Sequence, residues 1–277
     1  MYKVKLCLGL SSQFKLEYED QIRLLHKTGF EGFFTNWDVD FKACRKLADE
    51  LGMVYQSVHA PYANSANMWK NNHEAEEAVN ELLKYLEETA KINVPIMVVH
   101  TYIGFGPNDG PNEYGIKNYG KIVDRAKELG VKIAFENTEG DEYLAALMDA
   151  FKERDNVGFC WDTGHEQCYN RGNDMMALYG DRLIATHFND NLGIRDFNGE
   201  ITWIDDLHLL PFDGITDWQS VANRLNKYNY NGILTFELNT LSKPDRHEND
   251  KYNNMKIEEY IAEVYIRACR LANLMNK

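Results

Sequence analysis

Eight short apolar runs spaced along the whole chain constrain what it can fold into. They are VKLCLG (4–9), GFFTNW (32–37), MVYQSVH (53–59), IMVVH (96–100), KIAFEN (132–137), VGFCWD (157–162), LIATHF (183–188) and ILTFEL (233–238). Amphipathic stretches separate them. In 73–92, Ala75, Ala78, Val79, Leu82, Leu83, Leu86 and Ala90 recur at i, i+3, i+4 spacing, and Ile257, Tyr260, Ile261, Val264, Tyr265, Ala268 and Leu271 repeat the pattern near the end. Such alternation predicts repeated βα units around a parallel sheet. The glycines in ELGMVY and ELGVKIAF mark helix-to-strand turns. With no Pro/Gly/Ser linker between units, the pattern favours an α/β fold of one domain over 1–277, a closed (β/α)8 barrel, over an open doubly wound sheet. The sixth helix, near NDMMALYG, reads as one or two turns. Two long irregular stretches, 101–115 and 189–215, follow the fourth and seventh strands, on the side where a barrel carries its substrate loops.

The net charge of −13 gives a mean field that repels phosphate backbones and anionic membranes, so neither nucleic acid nor membrane is the expected partner. Five scattered cysteines without a CxxC pair read as reduced thiols. The apolar part of MYKVKLCLGL is too short for a signal peptide and no 18-residue apolar run occurs, so a cytoplasmic location is expected.

The chemistry sits at the strand ends. Strands three to eight finish on His59, His100, Glu136, Asp162, His187 and Glu237, and barrel closure would gather these into one ring. His165 follows strand six by one turn, and the loop after strand seven adds Asp206 and His208 in the run DLH. A lone histidine after a strand is usually a hydrogen-bonded structural residue, and Asp162 alone could cap the next helix. Glu136 and Glu237, within apolar strand ends, require a cation or hydrogen-bond donors if buried. Repetition at six successive strand ends favours a shared metal. Mixed carboxylate and imidazole ligands suit Zn²⁺, Mn²⁺, Co²⁺ or Fe²⁺ better than Ca²⁺ or Cu(I). Cys160 is expected to point outward, into the layer between sheet and helices.

From SVHAPY to ILTFELN, the ordered motifs VHA, VVHT, FEN, DTGH, THFND, DLHLLPFDG and FELN resemble the xylose-isomerase-like TIM-barrel superfamily. That superfamily contains sugar and sugar-phosphate isomerases and epimerases together with endonuclease-IV-type phosphodiesterases. The resemblance to its ketose epimerases implies one divalent metal (Mn, Zn, Co or Mg) held by Glu136, Asp162, His187 and Glu237, with Glu136 and Glu237 as acid and base. It places His165 and Glu142 on substrate oxygens, offers Arg195 as the nearest counterpart of a family arginine, and leaves His59 and His100 facing substrate. The resemblance to the endonucleases implies up to three metals, held by those four ligands plus His59, His100, His165, Asp206 and His208.

The expected activity is therefore that of a metal-dependent sugar isomerase or epimerase, removing a proton next to a carbonyl to give an enediolate. A trinuclear phosphodiesterase and a keto-inositol dehydratase-type lyase are the alternatives. The loops IGFGPNDGPNEYG and NDNLGIRDFNGE are neutral or acidic, which suits a small sugar or polyol better than a phosphate backbone. After strand eight, ELNTLSKPDRHEND offers only Lys243 and Arg246 and no Gly-rich turn, so the sugar is expected to be unphosphorylated. Barrels of this kind often pair, so a homo-oligomer is allowed. Trp37, Tyr62, Trp69, Tyr102, Phe105 and Trp203 are the aromatic residues expected either to wall the site or to pack its loops.

Overall fold

The eight apolar runs become eight parallel strands: β1 (Leu6–Gly9), β2 (Gly32–Thr35), β3 (Val54–His59), β4 (Ile96–His100), β5 (Lys132–Glu136), β6 (Val157–Asp162), β7 (Leu183–His187) and β8 (Leu234–Phe236). The structure, a computed structural model, describes residues 4–196 and 199–275, so Phe197 and Asn198 of the second long loop lie outside it. The strands are hydrogen-bonded in the order β7-β6-β5-β4-β3-β2-β1-β8. A parallel bridge between Phe188 and Phe236 closes the ring, with the Phe188 N–H donating to Thr235 at 2.8 Å and the Glu237 N–H donating to Phe188 at 3.2 Å. The chain is a (β/α)8 TIM barrel.

Outside the strands lie α1 (Tyr18–Thr28), α2 (Phe41–Leu51), α3 (His73–Lys91), α4 (Glu113–Leu129), α5 (Asp141–Ala150), α6 (Thr163–Cys168), α7 (Met175–Tyr179), α8 (Trp218–Lys227), α9 (Asp250–Asn253) and α10 (Ile257–Leu274). Their apolar stripes bury against the outer face of the sheet, Ala75, Ala78, Val79, Leu82 and Leu86 doing so for α3. Gly52 and Gly130 end α2 and α4 at φ 67° and 71°, a left-handed conformation that L side chains disfavour. The weak sixth helix expected near NDMMALYG is the short α7, and a further short helix, α6, precedes it directly after β6. Among the described residues no helix is long and apolar enough to cross a membrane.

Two apolar layers form. The large one lies between strands and helices; the small one is made of Val98, Ala134, Cys160 and Ala185, all buried. Each of these four stands two residues before a strand-end His, Glu or Asp: His100, Glu136, Asp162 and His187 respectively. Side chains on a strand alternate with a period of 2, so they share the ligands' face, inside the barrel. The expectation that Cys160 points outward is corrected here. Cys160 has the parity of Asp162, not of Phe159, and its sulfur groups with Glu136 and His187 within 4.8 Å. Burial pushes its thiol well above the usual cysteine range.

The long loop after β7 is tied down by one buried carboxylate. Asp190 accepts N–H bonds from Asn191 (2.9 Å), Thr216 (3.0 Å) and Phe212 (2.9 Å), and one from the Trp218 indole (2.9 Å). Its backbone exchanges bonds of 2.8 and 2.9 Å with Leu209. That pairing fixes the position of His208, whose φ of 48° is left-handed and costs a non-glycine residue about 1–2 kcal/mol.

Candidate metal centre

Five ligand-type side chains lie at the last residues of β3 to β7, and Glu237 directly follows β8. Asn137, after β5, locks two of these ends together. Its amide nitrogen donates at 2.8 Å to the Asp162 carbonyl and to Asn170 Oδ1, and its Oδ1 accepts the Asp162 N–H at 2.8 Å. Asp162 is a helix cap as well as a candidate ligand. Its Oδ1 accepts the His165 N–H at 2.6 Å at the start of α6, while Oδ2 accepts from Asn189 Nδ2 at 2.8 Å.

Ligand atoms converge in overlapping groups, each within 4.8 Å: Glu136, Asp162, His187 and Glu237; His59, His100 and Glu136; and His165, Asp206 and His208. Glu136 joins the first two. Its Oε1 is 2.9 Å from His187 Nδ1, which is also 2.9 Å from Glu237 Oε2. Its Oε2 lies 3.3 Å from His59 Nε2 and 3.1 Å from His100 Nε2. In the third group, Asp206 stands 3.6 Å from His165 Nε2 and 3.0 Å from His208 Nε2. All nine residues implied by the resemblance are gathered at the carboxyl end of the barrel.

Three of the histidines are pre-set for ligation. Nδ1 of His59, His165 and His208 faces the backbone carbonyls of Ala60 (2.8 Å), Asn137 (3.0 Å) and Glu237 (3.2 Å). A carbonyl can only accept, so each Nδ1 carries a proton and Nε2 turns toward the carboxylates, the atom that a metal would take.

The electrostatics fit a bound cation. Burial alone would lower His187, yet Glu136 and Glu237 hold it well above the usual histidine range. Against the same burial, Asp162 and Asp206 raise His165 to about 10, and Asp206 raises His208 to about 9. Burial raises Asp162 to about 6 and lowers His100 to about 4. Without a metal the cluster must bind protons to tolerate its buried carboxylates. His187 Nε2 and Asp206 Oδ1 are buried without a hydrogen-bond partner. Orphaned ligand atoms, pre-set tautomers and excess buried carboxylate make this donor set suitable for a divalent metal.

Above the ring lies a cavity of about 260 Å³ lined by His59, Tyr62, His100, Ile103, Phe105, His165, Tyr169, Trp203, Asp206, His208, Glu237 and Lys243. Glu237 reaches it with its side chain 23% exposed, whereas Glu136 is fully buried below the histidines. Of the aromatic residues singled out, Tyr62, Phe105 and Trp203 wall the cavity. Trp37 packs edge-on against Tyr62 at 5.3 Å, while Trp69 and Tyr102 pack against Tyr143 at 4.8 and 4.0 Å.

Glu142 and Arg195 are not brought to this cavity. Glu142 is exposed in the first turn of α5, because that helix buries Tyr143, Leu144, Leu147 and Met148. The carboxylate turned inward there is Glu139, which accepts the Gly104 N–H at 3.0 Å and which burial raises to about 7. Arg195 is exposed and lines a separate depression with Asp196, Glu200 and Asp205. Two aromatic residues packed on the site's histidines escaped the sequence reading. Tyr169 sits one helical turn past His165, ring to ring at 4.8 Å, a spacing that could have identified it. Phe34, stacked on His187 at 4.7 Å, floors the site from β2 and carries no polar signal.

Gly164 of DTGH is required by the same geometry. A Cβ there would lie 1.8 Å from Asn189 Oδ1, and Asn189 is fully buried while it holds Asp162. Gly164→Ala is expected to weaken metal affinity about 10- to 100-fold, as loss of a ligand's hydrogen-bond support does. Competition with a fluorescent chelator measures this, and an affinity within twofold of wild type would refute that role for Asn189.

The uncharacterized protein y4fM of Sinorhizobium fredii is 27% identical over 91% of this chain and 93% of its own length. A probable endonuclease 4 of Staphylococcus carnosus is 28% identical over 56% of this chain and 58% of that protein. The crystal structure of D-psicose 3-epimerase with D-tagatose from Clostridium cellulolyticum H10 shares the fold at TM-score 0.71 and 14% identity, covering 97% of this chain and 99% of that one. Residues 22–254 match the family model described as xylose isomerase-like TIM barrel, and the chain belongs to that family.

Proposed function

We propose that the chain is a divalent-metal-dependent sugar isomerase or epimerase that removes a proton from the carbon next to a carbonyl. The observation carrying the reading is Glu237, a carboxylate exposed to a small aromatic-walled cavity and grouped with Glu136, Asp162 and His187. A cavity of about 260 Å³ lies just below the roughly 300–1,000 Å³ of drug-sized ligand sites, which suits a sugar or polyol. The solved epimerase of the same fold supports the choice of substrate class.

Held by Glu136, Asp162, His187 and Glu237, a divalent metal would act as a Lewis acid on the substrate oxygens. Glu237 takes the proton, since it is the carboxylate of that group of four that lines the cavity. Glu136, sealed below the cavity, is assigned the complementary acid or base role through His59 and His100, whose Nε2 atoms lie 3.3 and 3.1 Å from its Oε2 and which line the cavity. His165, His59 and His100 line the cavity and orient substrate hydroxyls; Tyr62, Phe105, Tyr169 and Trp203 exclude water and pack the C–H face of the sugar. A keto-inositol dehydratase would begin with the same proton removal.

One observation favours a second reading. The third group, His165, Asp206 and His208, completes nine ligands, as a trinuclear phosphodiesterase requires, and an endonuclease 4 relative matches about half the chain. Against it stand the net charge of −13 and a cavity lining in which Lys243 is the one Lys or Arg. Incubating the Mn²⁺-loaded protein with a panel of ketoses, and separately with abasic duplex DNA, tests the choice. Conversion of a ketose without strand cleavage is expected; cleavage without sugar conversion would overturn the proposal.

A further inference from the structure

The cavity lining holds four histidines and two carboxylates but, among the described residues, a single Lys or Arg side chain, Lys243. Its side chain is only 20% exposed, and its ammonium lies over the Trp203 ring, 5.4 Å from the centroid. It is ion-paired at 3.8 Å with Asp206 Oδ2, a carboxylate already shared by His165 and His208.

The backbone around Lys243 is pinned on both sides. Gln13 Oε1 accepts the N–H groups of Thr240 and Leu241 at 3.0 Å each. Ser242 Oγ accepts the Asn249 N–H at 3.0 Å and donates to Asp250 at 2.7 Å, while the Lys243 carbonyl accepts the Arg246 N–H at 3.0 Å. A long flexible side chain held mostly buried on a braced loop has lost much of its rotamer freedom before ligand arrives. A pre-positioned ammonium facing a sugar-sized cavity matches a ligand anion rather than a chain of neutral hydroxyls.

We propose that Lys243 makes this cavity selective for a sugar bearing an oxyanion group, a carboxylate or a phosphate. The inference rests on the sugar reading above and sharpens it, replacing the neutral, unphosphorylated sugar expected from sequence. Sequence could count Lys243 after β8 but could not show that it turns into the cavity. Its neighbour Arg246 does not: its guanidinium is committed to Glu248 at 2.6 Å.

The test uses three ligands of one carbon skeleton: D-fructose, D-fructuronate and fructose 6-phosphate. Calorimetry on the Mn²⁺-loaded full chain should show at least one anionic sugar binding about tenfold or more tighter than fructose, a difference of about 1.4 kcal/mol. Which of the two binds tighter identifies the oxyanion. Lys243→Gln should bring the anionic-to-neutral ratio close to one, and Lys243→Arg should retain a preference. Equal affinity for all three ligands, no binding of any, or a preference that survives Lys243→Gln would overturn the proposal. Deuterium exchange keeps the two readings apart. Exchange without a Lys243-dependent preference removes the oxyanion subsite alone, while a Lys243-dependent preference without exchange removes the isomerase reading alone.

Discussion

Glu237→Gln is expected to abolish proton exchange at the substrate carbon, lowering turnover about a thousandfold or more, within the range typical of losing a positioned base. The amide keeps the shape of the side chain and can still accept a hydrogen bond, but it cannot hold a proton taken from carbon. The fold should survive, because Glu237 lies past the end of β8 and is partly exposed, and removing its charge relieves repulsion with Glu136. Unchanged far-ultraviolet circular dichroism together with lost turnover is the expected pair of results. Retention of a tenth or more of the activity would contradict the assigned role.

Metal removal should cost the folded state heavily. The ring holds three mutually close carboxylates, from Glu136, Asp162 and Glu237, grouped with the imidazole of His187. A metal present at about a thousand times its dissociation constant stabilises the native state by about 4 kcal/mol, equivalent to roughly 8–16 °C in Tm. Differential scanning calorimetry of the chelator-treated protein, before and after adding back Mn²⁺, Zn²⁺, Co²⁺ or Mg²⁺, reads this directly. A shift below about 1 °C with all four ions would show that the cluster is held by protons alone.

The fold was legible because its signals are local. Each strand needs one short apolar run and each helix one amphipathic period, and β3 to β7 end on the ligand-type residues that the sequence presents. The error at Cys160 was one of parity: two residues from Asp162 means the same face of the strand, and Ala134 and Ala185 repeat that small-residue position below Glu136 and His187. Glu142 and Arg195 were misplaced for a different reason. Both lie on elements whose orientation is set by neighbours, Glu142 by the helical phase of Tyr143 and Leu147, and Arg195 by a loop whose N–H at that position donates to Asp205 at 3.0 Å. Glu237 could be read as a ligand, but its opening to the cavity while Glu136 is sealed depends on how strands stack around the ring, which no single segment encodes.

The ambiguity of DTGH is resolved in part. Asp162 caps α6 with one oxygen and stands among the candidate ligands, so the cap does not preclude a ligand role for that aspartate. His165 groups with Asp206 and His208 and also lines the cavity, leaving it able to serve either metal or substrate.

The most direct test of the central claim is deuterium wash-in. Metal-loaded wild-type protein is incubated with ketoses, both neutral and oxyanion-bearing, in D₂O, and the carbon next to the carbonyl is followed by proton NMR. The account predicts that its C–H signal disappears for at least one sugar, that chelation stops the loss, and that Glu237→Gln abolishes it. Full retention of that signal with every sugar and every metal would contradict the claim that this site removes a proton from carbon.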